Sequence, residues 1–97
     1  MDIQKKYTYE EFPKEISFVS RLLSGETITN ASAVAVDRNG IDSTSAVIKN
    51  GSVSETDGIV SLVVQNGTKE NSPYYISARV ETSAGNKYEM QFKLEII

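Results

Sequence analysis

Few side chains in this 97-residue chain are suited to nucleophilic or acid–base catalysis. The chain has no cysteine and no histidine, which excludes thiol nucleophiles, thiolate zinc sites and the most common general base and metal ligand. Serine and lysine are frequent, yet they never occur in the Ser-x-x-Lys spacing that joins a nucleophile to a base. No glycine-rich phosphate-binding pattern occurs either. We therefore predict that the protein is not an enzyme and binds no cofactor.

The acidic side chains leave one catalytic class open, a hydrolase that uses two carboxyl groups. Acid catalysis by a carboxyl group needs a raised pKa and hence burial in a pocket, and nothing in the sequence predicts a pocket around the acidic residues. Those near the C-terminus alternate with basic residues, which is typical of ion pairs on a solvated sheet face. The candidate groups are Glu10 with Glu11, Glu55 with Asp57, and Glu81 with Glu89 and Glu95. We expect none of them to be catalytic.

Residues 37–42, Asp-Arg-Asn-Gly-Ile-Asp, resemble the start of a calcium-binding loop. Such a loop has the pattern D-x-[DN]-x-[DN]-G and supplies six to eight oxygen ligands. Here Gly40 comes two residues too early, and no glutamate follows at the distance where a bidentate ligand is needed. A tight turn closed by an aspartate side chain accounts for the same residues. We predict no metal site.

The charge balance argues against two kinds of partner. Ten basic residues against thirteen acidic ones give a net charge of −3, which is unlike the basic surface of a nucleic-acid-binding protein or a polybasic membrane anchor. No apolar run is long enough to span a bilayer. The first 13 residues lack the apolar segment of a secretory signal, so we expect no signal peptide. We therefore expect no nucleic-acid partner and no membrane partner.

The C-terminal third has the clearest secondary-structure pattern. From Lys87 to Ile96, apolar and polar residues alternate strictly, which predicts a strand with one buried and one solvated face. Residues 74–82 repeat the pattern, and the Gly- and Asn-containing residues 83–86 between them favour a tight hairpin. The faces that carry Val80 and Tyr88 should therefore meet in the core.

The rest of the chain also reads as short strands separated by turns. Three Asn-Gly pairs and one Asp-Gly pair mark turns, and β-branched and aromatic residues dominate between them. Leu22 and Leu23 follow Val19 at helical spacing, which predicts that the opening strand passes into one helical turn stopped by Gly25. The other predicted strands cover residues 27–36, residues 45–48, residues 52–55 and residues 59–65. In the first of these, Val34 and Val36 should point inward. Together these patterns predict an all-β fold, an immunoglobulin-like or fibronectin III-like antiparallel β-sandwich of about seven strands.

The chain should form one such domain. Residues 1–13 are polar and charged, and we interpret them as an N-terminal arm or edge segment that precedes a sandwich of residues 14–97. Tyr74 opens the penultimate strand directly after a turn. This position suits a tyrosine corner, in which the hydroxyl bonds to upstream backbone, although an ordinary core tyrosine would fit equally well.

Three stretches of the sequence resemble a known family. They are residues 13–19, residues 22–28 (Leu-Leu-Ser-Gly-Glu-Thr-Ile) and residues 74–86, followed by the alternating last strand. Over residues 12–97 the chain resembles the small immunoglobulin-like virion structural proteins of tailed bacteriophages, a fibre–tail adaptor-like family encoded by phages or prophages. The resemblance implies a non-enzymatic virion protein, made in the bacterial cytoplasm, that links tail or neck to fibres by contacts with other virion proteins.

Two further questions stay open at the level of sequence. Tyr7, Tyr9, Phe12 and Tyr75 are aromatic residues placed outside the predicted core, and they form the candidate interface, although aromatic residues on an ordinary sheet face are the simpler explanation. Unpaired sheet edges also make a homo-oligomer a candidate arrangement. The alternative function is an Ig-like surface-binding module, such as a head decoration or a carbohydrate- or receptor-binding accessory, which an exposed row of aromatic residues on one sheet face would favour.

Overall fold

Seven β-strands make up about half of the protein in a computed structural model that describes all residues from Met1 to Ile97. A 3₁₀ turn, Val19–Arg21, follows the second strand, and one short helical turn, α1, covers Thr44–Val47. Neither helical segment has the length or hydropathy to cross a membrane. The strands are β1 (Asp2–Lys6), β2 (Phe12–Ser17), β3 (Ile28–Val36), β4 (Ser54–Thr56), β5 (Ile59–Val64), β6 (Tyr74–Thr82) and β7 (Lys87–Ile96).

The strands form two sheets that pack as a sandwich. The four-stranded sheet has the order β1-β7-β6-β3, and the three-stranded sheet has the order β2-β5-β4. This arrangement confirms the predicted all-β sandwich of seven strands. One pairing departs from a fully antiparallel arrangement, because β1 runs parallel to β7 at the sheet edge. The chain then crosses to the other sheet, where β2 pairs with β5.

The last two strands form the predicted hairpin. Val80 lies opposite Tyr88, and Ile76 lies opposite Phe92. Both Phe92 and Leu94 are buried, so the apolar residues of β7 face the second sheet as the alternation predicts. The core comprises Ile16, Phe18, Ile28, Ala35, Val47, Ile48, Val60, Leu62, Val64, Tyr74, Ile76, Ala78, Val80, Phe92, Leu94 and Ile96.

Strand β3 presents the face opposite to the predicted one. Ala35 is buried, and Ala31 and Ala33 pack against the core, whereas Val34 and Val36 lie on the outer face of the sheet. The prediction that the two valines point inward was therefore wrong. The inward positions of β3 thus carry alanine, whose small side chain allows two packed sheets to approach closely.

Residues 45–48 are not a strand, which corrects a second prediction. Thr44–Val47 form the helical turn α1, and the Asp42 carboxylate accepts a hydrogen bond from the Thr44 amide at 3.0 Å. This side-chain bond gives the backbone a local alternative to sheet pairing, and it leaves Val47 and Ile48 in the core. The helical turn predicted after β2 is confirmed at Val19–Arg21, but it ends at Leu22, before Gly25.

Candidate interaction surface

The loop between β1 and β2 carries the most exposed aromatic side chains. It lies at the end of the sandwich where β7 finishes, because Lys6 pairs with Ile96. We call this end the loop end. Tyr7 is 60% exposed and Tyr9 is 97% exposed, so both rings are available to a partner. Solvent-exposed tyrosine on a loop is typical of protein–protein contact surfaces.

A buried lysine side chain holds the backbone of this loop from the protein interior. Lys6 is 1% exposed, and its ammonium group donates hydrogen bonds to the carbonyls of Tyr7 at 2.8 Å, Thr8 at 3.2 Å and Asn66. All three ammonium protons therefore have acceptors, which compensates the burial of the charge. Burial lowers the pKa of Lys6, and the Glu10 carboxylate opposes that shift.

The loop is also closed on itself. The Tyr7 amide donates to the Glu10 carboxylate at 2.7 Å, and the Glu10 amide donates to the Tyr7 carbonyl at 3.0 Å. With Lys6 below and this reciprocal pair across the turn, the backbone that carries the two tyrosines has little freedom left. A partner would therefore meet a loop that is already ordered.

The other two candidate interface residues are less exposed. Phe12 is half-buried and packs against the core, and with Tyr9 and Glu11 it lines an open depression at the loop end. Tyr75 is half-buried on the outer face of the four-stranded sheet, between Val36 and Lys93 on the neighbouring strands. The structure thus brings Tyr9 and Phe12 to one depression and places Tyr75 on a different face.

Tyr74 is buried beside the loop between β5 and β6. Its hydroxyl accepts a hydrogen bond from the Thr68 amide at 3.0 Å, and it lies 3.4 Å from the Thr68 hydroxyl. Gly67 precedes this contact with φ +89°, and a Cβ built there would lie 2.8 Å from Cδ1 of Ile96 and 3.3 Å from the Tyr74 ring. The tyrosine ring and the loop backbone therefore pack closely, with a hydrogen bond between them.

Several of the acidic residues considered for chemistry have structural partners. Arg79 and Glu89 form a cross-strand ion pair at 2.7 Å on the outer sheet face. In the calcium-like segment, one Asp37 carboxylate oxygen accepts the amides of Asn39 at 2.8 Å and Ile41 at 3.0 Å, which is an aspartate-closed turn. No group of three or more acidic residues is placed to hold a metal ion.

Glu26 is a buried carboxylate that the sequence reasoning missed. It accepts hydrogen bonds from the Leu23 amide at 2.8 Å and the Asn86 side chain at 2.9 Å, and a further one from the Thr82 hydroxyl. The Leu23 bond, followed by the Thr82 bond, lowers the pKa of Glu26. These contacts join the turn before β3 to the β6–β7 hairpin, at the end of the sandwich opposite the loop end.

Neither Lys6 nor Glu26 could be identified from a local pattern. In β1, Lys6 shares its face with Asp2 and Gln4, whereas the apolar Ile3 lies on the other face, so alternation predicts a solvated Lys6. Glu26 has partners about 60 residues away along the chain. No local pattern signals such contacts.

These features define a small two-sheet β-sandwich domain with an ordered, aromatic loop at one end. Over residues 6–95 the chain matches the family model described as podophage GP4 fiber-tail adaptor protein gp77, and it belongs to that family. This match confirms the predicted resemblance to phage fibre–tail adaptors. A comparison with curated proteins finds no match. The family is one of structural adaptors in the phage virion.

Proposed function

We propose that this protein is a non-enzymatic virion component that joins tail or neck to fibres, and that the loop end is its contact surface. The observation that carries the proposal is the loop of residues 7–11, where Tyr7 and Tyr9 are exposed on a backbone held by the buried Lys6 ammonium. Aromatic side chains on an ordered loop supply contact area at a small cost in conformational entropy.

The strand order supports an immunoglobulin-like assignment for the sandwich. In immunoglobulin domains the strands B, E and D share one sheet, and C, F and G share the other. Here β2, β5 and β4 take the first three places, and β3, β6 and β7 take the second three. Within this frame we assign Tyr74 the role of a tyrosine corner, since its hydroxyl bonds to backbone six residues upstream.

The partners of the loop end are other virion proteins. Its neighbouring acidic residues, Glu10 and Glu11, line the same depression as Tyr9 and Phe12. Glu11 is already paired with Lys49 at 2.9 Å. The contact therefore depends chiefly on aromatic area with polar groups at the rim, which is the composition of a specific protein interface. We assign residues 1–13 to this contact as the edge segment that carries the loop.

The surface-binding alternative lacks the feature that would favour it. That alternative requires a row of aromatic side chains along one sheet face. On the outer face of β6 and β7, Tyr75 is the one aromatic residue, and its neighbours along those strands are polar or charged. The exposed tyrosines lie on a loop instead, which supports the adaptor role.

Binding to tail complexes tests this proposal. The double variant Tyr7→Ser/Tyr9→Ser should bind tail complexes isolated from particles that lack this protein about tenfold more weakly or worse, the effect of removing two aromatic contacts. The matched control is Leu23→Ser, which removes an exposed apolar side chain at the opposite end. Unchanged binding of the double variant would refute the assignment of the loop end. Absence of the protein from purified virions would refute the virion role.

A further inference from the structure

Most free edges of the two sheets carry features that hinder pairing with another strand. The outer edge of β2 contains Pro13, which has no N–H to donate. Strand β4 has three residues, and β1 has five that include Lys5, so both edges are short and β1 is charged. Strand β3 is different, because its nine residues contain no proline and no charged side chain.

The backbone of β3 has unused hydrogen-bonding groups on its free side. Ala35 shows which residues point that way: its amide donates to the Thr44 hydroxyl at 3.0 Å, and its carbonyl accepts the Ser43 amide at 2.8 Å. Hydrogen-bonding direction alternates along a strand, so Ala31 and Ala33 point to the same side as Ala35. No hydrogen bond from another part of the chain reaches that side of either residue.

We propose that two copies of this chain pair through β3, antiparallel and about a two-fold axis at Ser32. In that arrangement Ala31 of one copy lies opposite Ala33 of the other. Each Ala31–Ala33 pair exchanges two N–H···O bonds, and the symmetry forms the pair twice. The two four-stranded sheets then form one continuous sheet through the dimer.

The limits of the free edge fit this symmetry. On one side of Ser32 the edge is covered at Ala35 by Thr44 and Ser43. On the other side the register shifts between Ile28 and Asn30, which places a bulge at Thr29. A two-fold axis at Ser32 sets Ala35 of one copy opposite Thr29 of the other, so the covered position meets the position where the partner's ladder is already broken.

The side chains are also compatible with a second copy. The outer face of β3 carries Asn30, Ser32 and Val34, so no like charges meet across the axis. On the inner side, Ala31 and Ala33 border two open depressions that share Val53 in their walls. In the proposed dimer, the small alanine side chains of the partner strand would lie beside these depressions.

This inference deepens the proposed role in virion contacts, but its test uses the purified chain alone. Its failure therefore leaves the loop-end proposal untouched, and loss of tail binding leaves this one untouched. Because the paired segment is short, association should be weak, and it should be followed from about 20 μM to about 1 mM by sedimentation and amide hydrogen exchange. The dimer fraction should rise with concentration, and the Ala31 and Ala33 amides should become protected over the same range.

A charge pair at the axis makes the test specific. Ser32 is exposed on the outer face, so Ser32→Lys and Ser32→Glu should fold as the parent does, and each alone should remain monomeric because like charges meet at the axis. An equal mixture of the two should restore the dimer. The matched control, Glu15→Lys on the β2 edge, should dimerise as the parent does.

Several outcomes would overturn the proposal. If the parent chain stays monomeric at about 1 mM, β3 does not pair with a second copy and the proposal is wrong. A dimer that persists in Ser32→Lys alone uses another surface. Protection of the Ala31 and Ala33 amides that appears only on addition of another virion protein would assign the edge to a heterologous strand instead.

Discussion

Replacing Tyr74 with phenylalanine separates a tyrosine corner from an ordinary core tyrosine. The substitution keeps the buried ring and deletes only the hydroxyl, which accepts the Thr68 amide at 3.0 Å. A buried donor that loses its acceptor costs about 1–3 kcal/mol. Thr68 is exposed, so water can reach its amide in the variant, and the loss should fall at the low end, about 1 kcal/mol.

Thermal and urea unfolding measure this loss directly. For a domain of this length, 1 kcal/mol corresponds to a fall in Tm of roughly 4–8 °C. The neighbouring Tyr75→Phe is the matched control, because Tyr75 is half-buried on the outer face and its hydroxyl makes no hydrogen bond within the chain. That control should change the free energy of unfolding by less than about 0.5 kcal/mol.

The comparison of the two variants decides between the readings of Tyr74. If Tyr74→Phe is as stable as Tyr75→Phe, the hydroxyl contributes nothing and the corner assignment is refuted. If only Tyr74→Phe speeds exchange of the Thr68 amide, the loop between β5 and β6 is held by that one bond. The exchange measurement thus locates the effect, and the unfolding measurement gives its size.

Two further predictions concern the buried carboxylate and the close turn. The hydrogen bonds to Glu26 lower its pKa in the folded state, so they stabilise the fold above the ordinary carboxyl pKa of about 4.3, and this stability is lost as the pH falls through the lowered value. Glu26→Gln should therefore be less stable at neutral pH and lose less stability on acidification; parallel pH profiles would contradict this. Gly67→Ala should lower the free energy of unfolding by about 1 kcal/mol more than Gly85→Ala does. Both glycines have positive φ, but only Gly67 faces Ile96 and Tyr74 at close range. Equal unfolding midpoints of the two variants in urea would contradict this prediction, because they would show that the contact relaxes freely.

The final hairpin could be predicted from sequence because alternation over ten residues allows one assignment of faces. The faces of strand β3 could not be predicted, since its last four residues alternate between alanine and valine. Valine and alanine both fit a core, and the choice depends on how closely β3 approaches β5 and β4, which is a property of the whole sandwich. The bulge at Thr29 adds to the difficulty, because it leaves Ile28 buried although Ile28 has the same parity as the outward-facing Val34 and Val36.

The prediction of a strand over residues 45–48, where the structure has the helical turn Thr44–Val47, was wrong for a related reason. Its β-branched residues favour a strand when read alone, but Asp42 bonds the Thr44 amide and hydroxyl and stabilises a turn instead. At the loop end, the exposure of Tyr7 and Tyr9 followed from their position before the compact part of the chain. The buried Lys6 side chain that holds their loop could not be predicted, because a lysine in an edge strand is ordinarily solvated.

Two charged side chains hold the ends of the sandwich through hydrogen bonds. Lys6 lies where β7 ends and Glu26 lies beside its start, so the two are near opposite ends of a molecule 43 Å long. Each is buried, and each uses its charge to hold backbone or side-chain groups of a neighbouring turn. An apolar residue in either place would relieve the cost of burying a charge, but it would leave those groups without partners. Such charges therefore stabilise one conformation of each end, which suits a protein whose proposed work is to present fixed surfaces to its neighbours.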